Sequence, residues 1–259
     1  MAKVEDLFSV RGKTVLVTGG SRGIGLMIAR GFVENGAKVY ISSRKADVCD
    51  QVAKELRAHG DCVSLPYDLG TMAGIEGLAS DLAAREQKLH VLVNNAGAVW
   101  GAPIDDFPEM GWDKVVSLNL KAPFFLTQKL LPLLRAAATR DDPARVIHIA
   151  SIDGLHVNPM ETYSYAASKA GLIHLTRAMA ARLSAEDITV NAVAPGPFKS
   201  KMMEYTLERM GDEIRRRNPR GRIGTPEDMA GVAIYLASRA GAYVNGVVIP
   251  VDGGIVAVS

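Results

Sequence analysis

The chain has 259 residues, 48% of them hydrophobic and 22% charged, and a net charge of +2. That balance suits a globular chain long enough for a sizeable core, and it excludes a polyanion-binding surface as the main business, so no nucleic-acid partner is expected. The start "MAKVEDLFSVRGK" has charges where a signal peptide needs an apolar run, and no segment approaches 18 uninterrupted apolar residues; a cytoplasmic protein with no membrane contact is expected.

In chain order, "KTVLVTG" reads as a buried strand and "GIGLMIARGFVENG" as an amphipathic helix closed by Gly36. "AKVYISS" is a second strand, and a helix follows to about His59. "CVSLPYDL", "LHVLVNNAG", "ARVIHIAS", "ITVNAVAPG" and "GVVIPVDGG" supply five more strands. Strands separated by helical segments imply βαβ units. The expected fold is one α/β domain over residues 1–259, a doubly wound, largely parallel sheet. Residues 135–145, "RAAATRDDPAR", read as an exposed loop. Cys49 and Cys62 lack CxxC spacing and read as reduced thiols.

"TGGSRGIG" follows the first strand and opens the first helix. Gly19, Gly23 and Gly25 allow a tight turn whose N–H groups approach a pyrophosphate at the helix N-terminus. Such a turn alone also serves methyltransferases, flavoproteins or plain helix–strand packing. Asp68 in "YDL" and Asn94–Gly97 in "NNAG" are placed at carboxyl ends of strands, where open α/β sheets bind ligands.

"TGGSRGIG", "NNAG", a serine on the fifth strand, "YAASK" and "APG", in this order and spacing, resemble the short-chain dehydrogenase/reductase family over essentially the whole chain. Among its subfamilies the chain is most similar to 3-oxoacyl-thioester reductases, those of rhamnolipid synthesis included, down to the "DDPAR" insertion. The resemblance implies a Rossmann-type fold, a homotetramer, and catalytic Asn119, Ser151, Tyr165 and Lys169. It also implies cofactor contacts from Gly19, Ser21, Arg22, Gly23, Ile24, Gly25, Ser43, Arg44, Asp68, Leu69, Asn95, Ala96, Gly97, Tyr165, Lys169, Pro195, Gly196 and Ser200. Ser151 would hold a substrate carbonyl oxygen, Lys169 would bond the nicotinamide ribose, and Asn119 would support a water leading away from the lysine.

Two tyrosines stand in "ETYSYAASKAG". Residues four apart share a helix face, so Tyr165 pairs with Lys169, whereas Tyr163 has only Ala167. A nearby ammonium is expected to lower the phenol's pKa and fit it for acid–base work. The second strand ends "YISSR": Ser43 stands where an NAD reader carries an acid, and Arg44 follows. With Arg22 this favours the 2′-phosphate of NADP(H) as cofactor.

Ser151 lacks a G-x-S-x-G context, and His59, His90, His148, His156 and His174 show no zinc spacing, so neither a hydrolase nor a metal site is expected. Asp153 and His156 follow Ser151 in a loop expected to face substrate, and Trp100 is a candidate pocket wall. "EIRRRNPRGR" carries five arginines and reads as a solvated face, or else as a dock for an acidic carrier or phosphate-bearing substrate. Glu186 and Asp187 stand where carrier-protein reductases have a basic residue, which disfavours carrier-bound substrates. Residues 198–210 read as a mobile segment in which Met202, Met203, Tyr205 and Leu207 form a flexible apolar wall, or else serve core packing or subunit contact. The expected activity is NADPH-dependent reduction of a small ketone or 3-oxoacyl thioester. The alternatives are a secondary alcohol or polyol dehydrogenase and a non-catalytic cofactor-binding protein.

Overall fold

The computed structural model describes residues 2–201 and 203–258. Seven strands, β1 (Thr14–Thr18), β2 (Lys38–Ser42), β3 (Cys62–Ser64), β4 (Val91–Asn94), β5 (Ala144–Ile149), β6 (Ile188–Pro195) and β7 (Val248–Val251), form one sheet in the order β3-β2-β1-β4-β5-β6-β7. Every neighbouring pair is parallel, with Val15 opposite both Val39 and Val91. The helices are α1 (Val4–Leu7), α2 (Gly23–Glu34), α3 (Ala46–Leu56), α4 (Met72–Arg85), α5 (Glu109–Val116), α6 (Ala122–Ala137), α7 (Tyr163–Leu183), α8 (Glu204–Arg217), α9 (Pro226–Ala237) and α10 (Ile255–Val258). The strand order reverses between β1 and β4, which opens a crevice at their carboxyl ends.

Strand periodicity divides the core between the two sheet faces. Val15, Val17, Val39 and Ile41 pack with Ile28 and Phe32 of α2 and with Met229 and Ala233 of α9. Leu16, Tyr40 and Leu92 pack instead with Leu78 and Leu82 of α4 and Leu126 and Leu130 of α6. No helix among the described residues is long and apolar enough to cross a membrane.

Three boundaries differ from the sequence reading. β3 stops at Ser64, so Asp68 and Leu69 belong to the following loop, not to a strand end. Pro66, two residues on, has no N–H to give a ladder. Helix α6 continues to Ala137 and β5 begins at Ala144, so the irregular stretch shrinks to 138–143. There Asp142 is pinned by Lys13 Nζ at 2.5 Å and Arg145 Nη2 at 3.0 Å, with Arg145 fully buried.

Candidate active site

The glycine turn is built from the chain beneath it. Gly19 sits at φ +66°, where a side chain is strained. The Gly19 N–H donates to the Ser42 carbonyl at 2.7 Å, which ties the turn to the end of β2. A Cβ on Gly25 would lie 2.3 Å from the Gly19 carbonyl oxygen, so the helix can start this close to the strand only without one. Asn95 Nδ2 donates to the carbonyls of Thr18 and Gly19 at 2.8 and 3.3 Å. Its side chain therefore supports the turn from below, which leaves its backbone and its Ala96 and Gly97 neighbours for a ligand.

Thr18 is the hub that the sequence reading missed. Its Oγ1 accepts from the Asn95 and Ala96 N–H groups at 2.9 and 3.0 Å and donates to the Val93 carbonyl at 3.3 Å. The signal was present as a threonine directly before "GG", but its partners are 75 or more residues away.

This cradle fits a dinucleotide. Helix α2 has no side-chain cap and no acidic residue in its first turn, so its leading N–H groups are free for a phosphate. Ser21 is buried, Ile24 is half-buried against the core, and Arg22 is exposed at the helix start. Ser43 and the exposed Arg44 follow β2, and a cavity of about 810 Å³ is lined by Arg44, Asp68, Thr71, Lys114 and Leu118. Asp68 Oδ1 accepts the Gly70 N–H at 3.0 Å. The Leu69 side chain is buried in the core, so only its backbone can meet a ligand.

Pro195 ends β6 and is buried, while a Cβ on Gly196 would lie 2.8 Å from Asp252 Cα. That glycine serves packing against the C-terminal segment. Ser200 lies over the turn, its Cβ 3.1 Å from where a Cβ on Gly23 would stand.

The reactive side chains converge at the carboxyl ends of β4 and β5. Ser151 follows β5, and its Oγ accepts the Asp153 N–H at 3.2 Å, which leaves its own proton to donate. The Tyr165 hydroxyl lies near enough to Ser151 for that hydroxyl to favour the phenolate. Lys169 is buried one turn further along α7, with Nζ 5.6 Å from the Tyr165 ring centroid and donating to the Ile149 carbonyl at 2.7 Å. Asn119 sits in a π-helical turn, Ser117–Lys121, and is bonded to Ala98 and Ser168.

The electrostatics depart from expectation. Burial pushes the Tyr165 phenol up to about 12; the Ser151 hydrogen bond opposes this and the Asp153 charge adds to it. Lys169, whose Nζ donates to the Ile149 carbonyl, does not offset that burial. Burial instead brings Lys169 itself down to about 8, against an upward pull from Asp153.

The remaining candidates separate clearly. Trp100 packs on α5, where a Cβ on Gly111 would lie 2.7 Å from its ring, with Lys114 Nζ 5.2 Å above it. Glu186 is held by Arg135 and Arg182 at 2.6 and 2.8 Å, so it presents little free negative charge. Among the arginines following Glu213, Arg215, Arg217 and Arg222 pair with Asp212, Glu213 and Asp228. Met203 and Leu207 are half-buried, while Met202 and the side chain of Tyr205 lie outside the described residues.

A family model described as enoyl-(acyl carrier protein) reductase matches residues 19–256. The rhamnolipids biosynthesis 3-oxoacyl-[acyl-carrier-protein] reductase of Pseudomonas aeruginosa is 47% identical over 253 residues, 95% of this chain and 97% of that protein. Gluconate 5-dehydrogenase of Gluconobacter oxydans is 35% identical, covering 96% and 97%. A solved Pseudomonas aeruginosa RhlG/NADP active-site complex superposes with TM-score 0.94 at 46% identity, covering 97% and 99% of the two chains. A gluconate 5-dehydrogenase from Burkholderia cenocepacia with NADP and tartrate gives 0.92 at 30%, covering 99% and 100%.

Proposed function

We infer that this chain, which belongs to the short-chain dehydrogenase/reductase family, is an NADPH-dependent carbonyl reductase acting on a 3-oxoacyl thioester or a similar small ketone. The observation that carries the reading is the convergence of the Ser151 and Tyr165 hydroxyls beside the glycine turn, with Lys169 one turn behind. When bound, the nicotinamide supplies the hydride.

The protein's part is orientation and the proton. Ser151 donates a hydrogen bond to the substrate carbonyl oxygen, and Tyr165 gives its proton to the same oxygen as negative charge develops there. A phenol near 12 keeps that proton in the ground state. Lys169 and Asn119 hold the floor of the site: Lys169 through the Ile149 carbonyl, Asn119 through Ala98 and Ser168. Gly19, Gly23 and Gly25 shape the pyrophosphate cradle, Arg22 and Arg44 meet the 2′-phosphate, Asp68 and the Leu69 backbone border the adenine side, and Ser200 holds the carboxamide.

Two hydroxyls aimed at one oxygen suit a ketone, whose oxygen sits on the same carbon that accepts the hydride, better than a 2-enoyl thioester, whose oxygen lies two carbons from that position. Loss of NADPH absorbance with 3-oxoesters, diketones and cyclic ketones, and none with a 2-enoyl thioester, is the test. Turnover of the enoyl compound alone would overturn the reading.

A homotetramer is supported by exposed Phe124 on α6 and by the half-buried Val248, Ile249 and Val251 of edge strand β7. Light scattering at micromolar concentration checks it, and a monomer of 27.7 kDa would refute it. Cytoplasmic operation, where thiols stay reduced, suits the free, buried Cys49 and Cys62.

A further inference from the structure

The turn after Ser151 carries a carboxylate that the proposed reaction does not use. Ile152–Gly154 is seated directly on α7, since a Cβ on Gly154 would lie 2.8 Å from the Lys169 carbonyl carbon. Asp153 is thereby fixed beside the reacting groups, its N–H bonded to Ser151 Oγ at 3.2 Å. Its Oδ1 accepts from Asn158 Nδ2 at 3.1 Å and lies 4.0 Å from His156 Nε2. The side chain is 11% exposed, which keeps its charge poorly screened. Both Tyr165 and Lys169 sense that charge, and each holds its proton more firmly because of it. The neighbouring cation, Lys169, is buried and engaged with the Ile149 carbonyl.

We propose that Asp153 is a specificity-determining residue that rejects ketones bearing a carboxylate close to the reacting carbonyl and so reserves the site for neutral esters and thioesters. The proposal rests on the carbonyl-reductase reading. Placing a ketone oxygen between Ser151 and Tyr165 brings a carboxylate two carbons away into the field of Asp153, and like charges brought together out of water repel strongly. Esterification removes that charge and leaves the ketone unchanged. A relative's name gives a 3-oxoacyl thioester, which carries no charge at the reacting end; Asp153 assigns this chain to substrates of that kind.

The test uses the matched pair acetoacetate and ethyl acetoacetate with saturating NADPH. The wild type is expected to prefer the ester, and added salt should change that preference little, because the Asp153 charge is largely withdrawn from solvent. In Asp153→Asn the kcat/KM for acetoacetate should rise about tenfold while that for the ester changes less than about threefold, and Asp153→Glu should retain the wild-type preference. The proposal is overturned if the wild type reduces both equally well or if Asp153→Asn shifts both in the same proportion. The wild-type comparison of acid and ester needs no variant, so a poorly folded variant does not shield the idea. Silence toward every ketone would fail the reductase reading and this one with it, a result separable from a reductase whose preference ignores charge.

Discussion

The side-chain amide of Asn119 closes a ring on the backbone of Ala98. The Ala98 N–H donates to Oδ1 at 2.8 Å, and Nδ2 donates back to the Ala98 carbonyl at 2.9 Å. The same Nδ2 lies 3.1 Å from Ser168 Oγ, one residue before Lys169. An amide offers a donor and an acceptor side by side, which a carboxylate or hydroxyl cannot. Asn119 therefore joins the loop after β4 to α7, the helix that carries Tyr165 and Lys169.

Replacing it tests that join. Asn119→Ala removes a buried amide and leaves the half-buried Ala98 N–H and carbonyl without it, at a cost of about 3 kcal/mol. The melting midpoint should fall by roughly 8 °C. The kcat should fall too, because Lys169 loses a fixed neighbour. A variant that melts within about 1 °C of the parent would show that the ring contributes nothing.

The two tyrosines separate by what their hydroxyls touch. Tyr165 meets Ser151, whereas Tyr163 is exposed, bonds Glu161 at 3.3 Å and turns its ring edge-on to Phe107 at 5.8 Å. Tyr165→Phe should lower kcat about a thousandfold with NADPH binding kept, and Tyr163→Phe should stay within about twofold. With Lys169 held near 8, ketone reduction should decline as pH rises through that value and the ammonium is lost. Equal damage from both tyrosine changes, or a flat alkaline limb, would count against these roles.

The order of the elements was legible because each carries its own period and its own glycine. "KTVLVTG" and "ITVNAVAPG" are mainly β-branched and apolar, as strands buried on both faces tend to be, and Tyr165 and Lys169 share a face by spacing alone. What sequence could not show is what happens across the sheet. Thr18 organises "NNAG" from 77 residues away, and Glu186 is neutralised by Arg135 from 51 away. The direction of the Tyr165 shift was also out of reach, because it turns on burial and on where Lys169 Nζ points.

His148 supplies a stability test. It is fully buried on β5, with Nδ1 3.0 Å from Thr176 Oγ1, whose hydroxyl donates to the Leu172 carbonyl at 2.7 Å. The ring must therefore be the neutral Nδ1–H form, and burial holds its pKa down to about 3, with the Lys169 charge adding to the effect. Because the folded value lies below the unfolded one of about 6.5, the stability it contributes is whole above 6.5 and is lost as pH falls toward 3. Between pH 6.5 and 5 that is about 2 kcal/mol, or roughly 5 °C in melting midpoint. His148→Leu should lose less than the parent over the same interval. Parallel melting curves for the two proteins across that range would refute the argument.

Cofactor choice is the last prediction, and it follows from charge at the end of β2. A reader of NAD places a carboxylate there to accept from the ribose hydroxyls, and that carboxylate would repel a 2′-phosphate. Here Ser43 takes the position and its Oγ turns to the Lys45 carbonyl at 3.4 Å, so no negative charge guards the ribose. Arg44 follows, exposed at the cavity it shares with Asp68, and Arg22 is exposed at the start of α2. A guanidinium on each side can clamp a phosphate in bidentate fashion. Each charge-assisted contact is worth about 1.5–3 kcal/mol, so NADPH should be preferred over NADH by at least about a hundredfold in kcat/KM. Arg44→Ala should cost about tenfold with NADPH and almost nothing with NADH. Joining Ser43→Asp to it should bring the two cofactors level or reverse them, since the new carboxylate both repels the phosphate and accepts from the ribose. Steady-state kinetics with both cofactors at one fixed ketone concentration decide it: equal use of NADH by the unmodified enzyme would remove Arg22 and Arg44 from the site.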